Sequence, residues 1–264
     1  MSEESAVVFV AGTAGAGKTT FVRAFADWMK SSGYDASVVN LDPGLEGGEL
    51  EPDVDIREWV RLADLQDEYG LGPNGAQVAA ADMIALKIFE VKQAIEDVRG
   101  DYVLIDTPGQ IELFAFREAS KAIVEALGGD RAALAFLFDP GLARNAAGFV
   151  SLLMLSATVE FRFRLPLVNV LAKADVLSAD QLSEILAWGE EPGRLYDAVQ
   201  AGTPTPDVQL STELFRAIEV MGPLAGLLPT SAKDRTGLDG FYRECQRVFA
   251  GGEDLEPSQE PASE

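Results

Sequence analysis

The chain has 264 residues with 43 acidic and 21 basic side chains, which gives a formal net charge of −22. It contains no histidine and a single cysteine, Cys245, so an internal disulfide, a cysteine zinc site and histidine acid–base catalysis are excluded. The acidic side chains are spread along the chain, which favours adaptation to concentrated salt over the alternative of a basic partner. Because no basic stripe is present to neutralise phosphates, direct nucleic-acid binding is not predicted.

The first apolar run, residues 7–11, leads into a glycine-rich segment, and together they predict a strand followed by a phosphate-binding loop. Residues 12–19 match the pattern G-x-x-x-x-G-K-[ST] at every fixed position. Backbone N–H groups of such a loop surround phosphate oxygens, the lysine reaches the outer phosphates, and the hydroxyl binds Mg²⁺. The residues predicted to bind a nucleoside triphosphate here are Gly12, Ala14, Gly15, Ala16, Gly17, Lys18, Thr19 and Thr20.

Beyond this loop, short apolar runs alternate with longer helix-like segments, which predicts an α/β fold with a mostly parallel sheet covered by helices on both faces. The predicted strands are residues 7–11, 37–41, 102–106, 133–139, 167–171 and 227–230. Helices are predicted near residues 18–31, 77–98, 115–127, 144–163, 180–189, 207–221 and 238–249. Together with the glycine loop, this alternation indicates the P-loop NTPase fold.

Two segments exceed what such a sheet needs. One is residues 43–76, rich in glycine, proline and acidic residues, and the other is residues 178–226, a mainly helical insertion before the last strand. Long connections of this kind are usually functional or disordered. We therefore predict a single domain over residues 1–250 with these two insertions, followed by a disordered acidic tail at residues 251–264.

The sequence also predicts a cytoplasmic protein without a membrane span. The first residues are acidic and do not form a secretory signal. The longest later apolar stretch, residues 149–170, is interrupted by Glu160, Arg162 and Pro166, so it is interpreted as a buried helix followed by a strand.

A second motif, YVLIDTPGQ at residues 102–110, places a carboxylate at the end of a buried strand and before a glycine turn. In a chain that also carries a phosphate loop, this pattern predicts that Asp106 holds Mg²⁺ through water, together with the Thr19 hydroxyl. The Gly109 N–H is predicted to contact the γ-phosphate. Gln110 is predicted to orient the attacking water, as a glutamine does in other GTPases.

Two further strand ends resemble the loops that recognise guanine in GTPases. They carry Lys173 and Asp175 in one loop, and Ser231, Ala232 and Lys233 in the other. In such loops the aspartate accepts hydrogen bonds from the N1 and N2 donors of guanine, which adenine lacks, and the lysine stem covers the base. The chain departs from the usual N-K-x-D pattern because Ala172 replaces the asparagine. GTP is still preferred over ATP as the predicted ligand.

Inside the first long insertion, the tripeptide Gly72-Pro73-Asn74 resembles the motif of the GPN-loop GTPases, in their short archaeal form. Residues 40–43 (NLDP), residues 55–58 (DIRE) and the DTPGQ motif occur in the order of that family. The resemblance implies a homodimer with nucleotides near its interface. It also implies that the GPN residues Gly72, Pro73 and Asn74 act on the γ-phosphate region of the partner subunit, without an arginine finger.

The same resemblance assigns roles to two carboxylates. Asp42 is predicted to act near Mg²⁺ or to position the attacking water. Glu112 is a weaker candidate for water positioning, with a solvated acid at a helix start as the alternative.

The leading hypothesis is a Mg²⁺-dependent, homodimeric GTPase that binds GTP and GDP and works as a switch or assembly factor for an unknown protein client. By analogy with eukaryotic relatives, the client is linked to RNA polymerase assembly. One alternative is a nucleotide-dependent client-binding module with negligible hydrolysis, in which residues 178–226 grip the client. Another is a small-molecule kinase, which is disfavoured because Arg194 and Arg216 are isolated and do not form an arginine-rich lid.

Overall fold

A parallel sheet forms the centre of the computed structural model, which describes residues 5–45, 50–98, 100–129, 131–201, 213, 216 and 226–250. Within these residues the sheet has seven strands in the order β3-β2-β4-β1-β5-β6-β7, and each neighbouring pair is parallel. The strands are β1 (Ala6–Gly12), β2 (Ala36–Asn40), β3 (Val54–Asp55), β4 (Tyr102–Asp106), β5 (Ala132–Phe138), β6 (Leu167–Leu171) and β7 (Leu227–Pro229).

Helices connect the strands and cover both faces of the sheet, as the sequence predicted. They are α1 (Lys18–Ser31), α2 (Leu62–Tyr69), α3 (Pro73–Leu86), α4 (Ile88–Val98), α5 (Ile111–Ala115), α6 (Glu118–Gly128), α7 (Pro140–Ala143), α8 (Ala146–Phe163), α9 (Ala179–Glu190), α10 (Pro192–Gln200) and α11 (Leu238–Ala250). Short 3₁₀ turns occupy Ile56–Glu58 and Ala174–Val176.

Two hydrophobic cores lie on opposite sides of the sheet, because successive side chains of a strand point to opposite faces. In β1, Val8 and Val10 belong to the core covered by α1 and α11, whereas Val7 and Phe9 belong to the core covered by α3–α6 and α8. In the first core, Phe241 of α11 packs edge-on against Phe25 of α1, with 4.8 Å between ring centroids. Strands buried on both faces explain the near-continuous apolar runs in the sequence.

The strand order reverses at β1, which pairs with β4 on one side and with β5 on the other. In open α/β sheets, ligands bind outside the carboxyl ends of the strands at such a point. The glycine loop follows β1 there, and the segments after β2 and β4 end beside it. The topology therefore brings together the motifs that the sequence singled out.

Four predictions about elements are corrected. The helix predicted at 77–98 is two helices, α3 and α4, and α3 begins at Pro73, whose fixed φ suits the first helical position. The helix predicted at 115–127 is α6, which begins three residues later, and the short helix α5 that precedes it was not predicted. β3 was not predicted, because a two-residue strand is too short to show a period. The insertion before β7 contains α10 in addition to the predicted α9.

α8 is long and apolar enough, by length and composition, to span a membrane. In this fold its residues Phe149, Val150, Leu152, Leu153 and Val159 are buried in the core, as the sequence predicted for a core helix.

Some predictions fall on residues outside the described ranges. The helix predicted at 207–221 has only Glu213 and Arg216 among the described residues, and the tail at 251–264 has none. The single domain and its disordered tail stay predictions.

Candidate active site

The phosphate loop depends on glycine at two positions. A Cβ on Gly12 would lie 2.8 Å from the carbonyl oxygen of Leu137 in β5, so the loop leaves β1 through a gap that only glycine fits. Gly17 precedes α1 with a φ of +96°, and a Cβ there would lie 3.1 Å from Cε of Lys173. The loop is thus pressed between β5 and the lysine of the predicted base loop.

Lys18 is buried beneath this loop. Its ammonium donates to the carbonyl oxygens of Gly12, Thr13 and Gly109 at 3.2, 3.3 and 2.9 Å. Burial lowers the pKa of Lys18 below its ordinary value, although the charges of Asp106 and Asp42 act in the opposite direction. The lysine therefore joins the phosphate loop to the turn that follows β4.

Thr19 and Asp106 form a pair at the end of β4. The Thr19 hydroxyl donates to one carboxylate oxygen of Asp106 at 2.6 Å. The other oxygen, Oδ1, is buried and has no hydrogen-bond partner among the described residues. Burial raises the pKa of Asp106 to about 7, while the Thr19 hydrogen bond and the Lys18 charge act to lower it. This carboxylate therefore has one unsatisfied oxygen beside the Thr19 hydroxyl, the other residue predicted to bind Mg²⁺.

The residues here fit a Mg²⁺ ion that is held in part by the nucleotide. In the described residues, no three His, Cys, Asp or Glu side chains form a group that would hold a metal by themselves. Mg²⁺ in nucleotide enzymes needs no such cage, since it uses one or two carboxylates, water and substrate phosphates. A threonine hydroxyl beside an orphaned carboxylate oxygen is a donor set of that kind.

Asp42 follows β2 and connects two loops. One of its carboxylate oxygens accepts the backbone N–H of Gly109 at 2.8 Å, and the other accepts the N–H of Gly44 at 2.9 Å. Asp42 therefore holds the turn that follows β4 from the side opposite Lys18. The N–H of Gly109, predicted to contact the γ-phosphate, is bonded to this carboxylate in the structure.

The NLDP and DIRE motifs meet through Asn40, to which the sequence analysis assigned no role. The Asn40 amide donates to Asp55 at 2.9 Å and to the carbonyl of Asp42 at 3.1 Å, and its oxygen accepts the N–H of Asp42 at 2.9 Å. Arg57 then pairs with both carboxylate oxygens of Asp55 through Nε at 2.9 and 3.0 Å. The pairing of β2 with β3 brings these motifs together, and the network orients the Asp42 backbone.

A cavity of about 150 Å³ lies between the turn after β4 and α3. Its polar lining comes from Asp42, Gly109, Gln110 and Gln77. Gln110 thus lines this cavity, and its role in positioning the attacking water stays a prediction. Glu112 is exposed on the first turn of α5 and is not in this lining.

The GPN residues form a helix start, where the sequence predicted a loop. Gly72 precedes α3, and Pro73 and Asn74 are its first two residues. All three are exposed to solvent. α3 contributes Gln77 and other residues to the cavity, whereas the GPN tripeptide is not part of the described lining.

The two predicted base loops are adjacent and bonded to each other. The N–H of Ala174 donates to the carbonyl of Thr230 at 2.9 Å. The Lys173 ammonium donates to the carbonyl of Gly15 in the phosphate loop and pairs with Asp139, which follows β5, at 3.3 Å. These contacts of Lys173 connect the base loop to the phosphate loop. The preceding residue, Ala172, has no side-chain amide with which to make such a connection. Asp139 was not among the predicted site residues, because an aspartate between a strand and Pro140 is typical of an ordinary helix cap.

The remaining predicted site residues lie around this edge of the sheet. Asp175, Lys233 and Thr20 are exposed, Ser231 is buried and bonded to Asp234, and Ala232 is partly buried. The roles of all these residues in nucleotide binding stay predictions.

A glycine loop between β1 and α1, with a buried lysine and a threonine bonded to the aspartate that ends β4, defines a P-loop nucleoside triphosphatase. The profile of a family described as "conserved hypothetical ATP binding protein" matches residues 10–250. GPN-loop GTPase 3 of Eremothecium gossypii is 30% identical over 96% of this chain and 94% of its own length. GPN-loop GTPase 2 of Xenopus tropicalis is 32% identical over 87% of this chain and 77% of its own. The chain belongs to the GPN-loop GTPase family.

A solved structure agrees with this assignment. The apo form of a GTPase from Pyrococcus abyssi superposes with a TM-score of 0.83 and 27% identity, covering 93% of this chain and 98% of that one.

Proposed function

We propose that this chain is a Mg²⁺-dependent GTPase whose active site is completed by the GPN residues of a second copy. The observation that carries this proposal is the arrangement of α3. The helix lines the chain's own cavity through Gln77, while Asn74 at its start is exposed and outside that cavity. An exposed amide at a rigid helix start is available to another subunit.

GTP is proposed over ATP because of the two base loops. Asp175 follows Lys173 on a short 3₁₀ turn, and this turn is bonded to the loop of Ser231, Ala232 and Lys233. The relatives are named for GTP, although the family description names ATP. An exposed carboxylate beside the phosphate loop accepts the paired donors of guanine, and adenine has no such pair.

Mg²⁺ would be held by the Thr19 hydroxyl and, through water, by Asp106, with Asp42 nearby, and it would neutralise charge on the phosphates. Side chains and backbone groups of the protein bind the phosphates, orient the water and stabilise developing charge. Lys18 binds the outer phosphates once it leaves the loop carbonyls. Asp42 and Gln110 orient the attacking water in the cavity. Asn74 of the partner subunit places a fixed dipole where negative charge develops.

The exposed side of α3 and α4 supports a homodimer. Val78, Leu86 and Phe89 are 40, 77 and 78% exposed, although they are large and apolar. They lie on the helix that begins with the GPN residues and on the start of the next. A second copy that covered them would bury apolar area and bring its Asn74 towards this subunit's cavity.

The proposed role towards a client protein rests on analogy with the family. We propose a switch or assembly factor in the cytoplasm, linked to RNA polymerase or to another large complex, because the family resemblance implies such work. The kinase alternative loses support because Arg194 and Arg216 pair with Glu191 and Glu213, each three residues earlier in the chain, at 2.8 and 2.9 Å. A client-binding module with negligible hydrolysis remains the second candidate, and the insertion with α9 and α10 favours it.

The first test is phosphate release from GTP and from ATP with Mg²⁺ in concentrated KCl, over a range of protein concentration. We expect GTP-selective release with a specific rate that rises with concentration. Tight GTP binding without release would favour the client-binding module. Release from ATP at the same rate as from GTP would contradict the base assignment.

The second test mixes two impaired variants, Asp42→Ala and Asn74→Ala. In a mixed dimer, the Asn74→Ala subunit keeps its own Asp42 and receives Asn74 from its partner. We expect activity above that of either variant alone. No gain on mixing, with mixed dimers demonstrated, would contradict a contribution in trans.

A further inference from the structure

Gln77 is a polar residue in the cavity that neither the motifs nor the proposed mechanism use. It lies on α3, three residues after Asn74, and so on the same side of the helix one turn further along. Its side chain lines the cavity together with Asp42, Gly109 and Gln110. Asp42, Gly109 and Gln110, which we assign to the γ-phosphate region, therefore line the same cavity as the Gln77 amide.

The Gln77 amide oxygen is buried and has no hydrogen-bond partner among the described residues. A buried acceptor without a hydrogen bond destabilises the fold, and native structures contain few of them. The next residues of α3 in the cavity, Ala81 and Ile84, are apolar. Packing alone would favour an apolar side chain at position 77 as well. A glutamine here is therefore explained better by a ligand than by the fold.

Water is the ligand that this cavity suits. The space is polar on one side, and its volume of about 150 Å³ exceeds what one water molecule needs. A water molecule there would have the Asp42 carboxylate and the Gln77 amide oxygen as acceptors for its two protons. Its oxygen lone pair would then be free for attack, in a cavity that Ala14 of the phosphate loop also lines.

We propose that Gln77 is a positioning residue for hydrolysis, and that its amide oxygen accepts a hydrogen bond from the attacking water within its own subunit. This inference rests on the proposed GTPase function. In the reaction, the water oxygen forms a bond to the γ-phosphorus while the bond from that phosphorus to the bridging oxygen breaks. GDP leaves with the bridging oxygen, and both water protons leave on inorganic phosphate as H₂PO₄⁻.

The proposal divides α3 between two active sites. Asn74, at the exposed start of the helix, serves the partner subunit. Gln77, one turn further on, serves the subunit to which it belongs. A small shift of this helix would then change both sites of the dimer together.

The test is Gln77→Met, which keeps the length of the side chain and removes the acceptor. GTP hydrolysis is measured with the full chain and Mg²⁺, together with the KM for GTP and the melting temperature. We expect a fall in kcat of at least about tenfold, a KM within about twofold of wild type, and an unchanged or higher melting temperature. Lys30→Met, at an exposed position near the end of α1, is the control and should leave all three unchanged.

An unchanged kcat, or a kcat that falls only with the melting temperature, would overturn the proposal. If wild type hydrolyses no GTP, the proposed function itself fails, so the two failures are distinguishable. Mixing Gln77→Met with Asn74→Ala tests the division of α3. We expect activity to recover, because the Asn74→Ala subunit keeps Gln77 and receives an intact Asn74. No recovery in demonstrated mixed dimers would contradict action of Gln77 within its own subunit.

Discussion

The backbone N–H of Gly109 donates to the carboxylate of Asp42 at 2.8 Å, and the carbonyl of the same glycine accepts from Lys18 at 2.9 Å. One peptide turn is therefore held from two sides by groups predicted to act on the nucleotide. A γ-phosphate that binds Lys18 and the Gly109 N–H would have to replace both bonds. We therefore expect the position of this turn to depend on whether the nucleotide carries a γ-phosphate.

We expect Asp42→Asn to lower kcat for GTP by about ten- to a hundredfold while GTP affinity changes little. The reason is that an amide places a donor opposite one of the two N–H groups, from Gly109 and Gly44, which the carboxylate accepts. Single-turnover hydrolysis and GTP titration measure the two effects. Asp64→Asn, on the exposed side of α2, is the control. Normal turnover in Asp42→Asn would contradict the assigned role.

The stability of the nucleotide-free protein should depend on pH through Asp106. Burial raises its folded-state pKa to about 7, above the unfolded value of 3.8. The stability that Asp106 contributes to the folded state is therefore fully present below the unfolded pKa of 3.8. This stability is lost as the pH rises through the folded-state pKa of about 7. We expect the melting temperature in EDTA to fall between about pH 4 and pH 7 more steeply in wild type than in Asp106→Asn. Parallel curves for the two proteins would exclude this assignment.

Asn40→Ala should destabilise the fold, because Asn40 joins the backbone of Asp42 to the side chain of Asp55. Its removal breaks three hydrogen bonds to partly buried groups, each worth about 0.5–1.5 kcal/mol. Urea unfolding measures this loss. Gln93→Ala, at an exposed position, should change the free energy of unfolding by less than about 0.5 kcal/mol. A loss no larger in Asn40→Ala than in this control would show that the network adds little.

Guanine selectivity should depend on Asp175. Asp175→Asn loses a charge-assisted hydrogen bond of about 1.5–3 kcal/mol, so we expect the preference for GTP over ATP to fall by at least about tenfold. Competition binding with both nucleotides measures the ratio. Asp180→Asn, exposed on the first turn of α9, is the control. An unchanged ratio in Asp175→Asn would remove the basis for choosing GTP.

The connection between Lys173 and Asp139 leads to a related expectation. Asp139 accepts the N–H of Gly141 at 2.8 Å through one oxygen and pairs with the lysine through the other. Asp139→Asn should weaken GTP and GDP binding to a similar extent, by about two- to fivefold, because an exposed ion pair contributes up to about 1 kcal/mol. Isothermal titration with both nucleotides measures this change. A loss confined to GTP would instead implicate the γ-phosphate.

The features that could be predicted from the sequence are those that depend on residues close together in the chain. The phosphate loop, the aspartate that ends β4 and the strands other than β3 follow from glycine spacing and apolar runs, which act over a few residues. The helix start at Pro73 has a local reason too, since proline suits the first helical turn, yet the motif was interpreted as a loop. The break between α3 and α4 at Lys87 has no glycine or proline to mark it, so the sequence offered no signal.

The sequence by itself determined the family, the parallel α/β fold and the position of the phosphate-loop motif, because these depend on short patterns of residue type. Only the tertiary structure decided that Asn40 joins Asp42 to Asp55, that Asp139 holds Lys173, and that Gln77 faces the cavity while Asn74 faces solvent. The physical reason is that such contacts join residues far apart in the chain. They exist only after strand pairing and helix packing have set the distances between them.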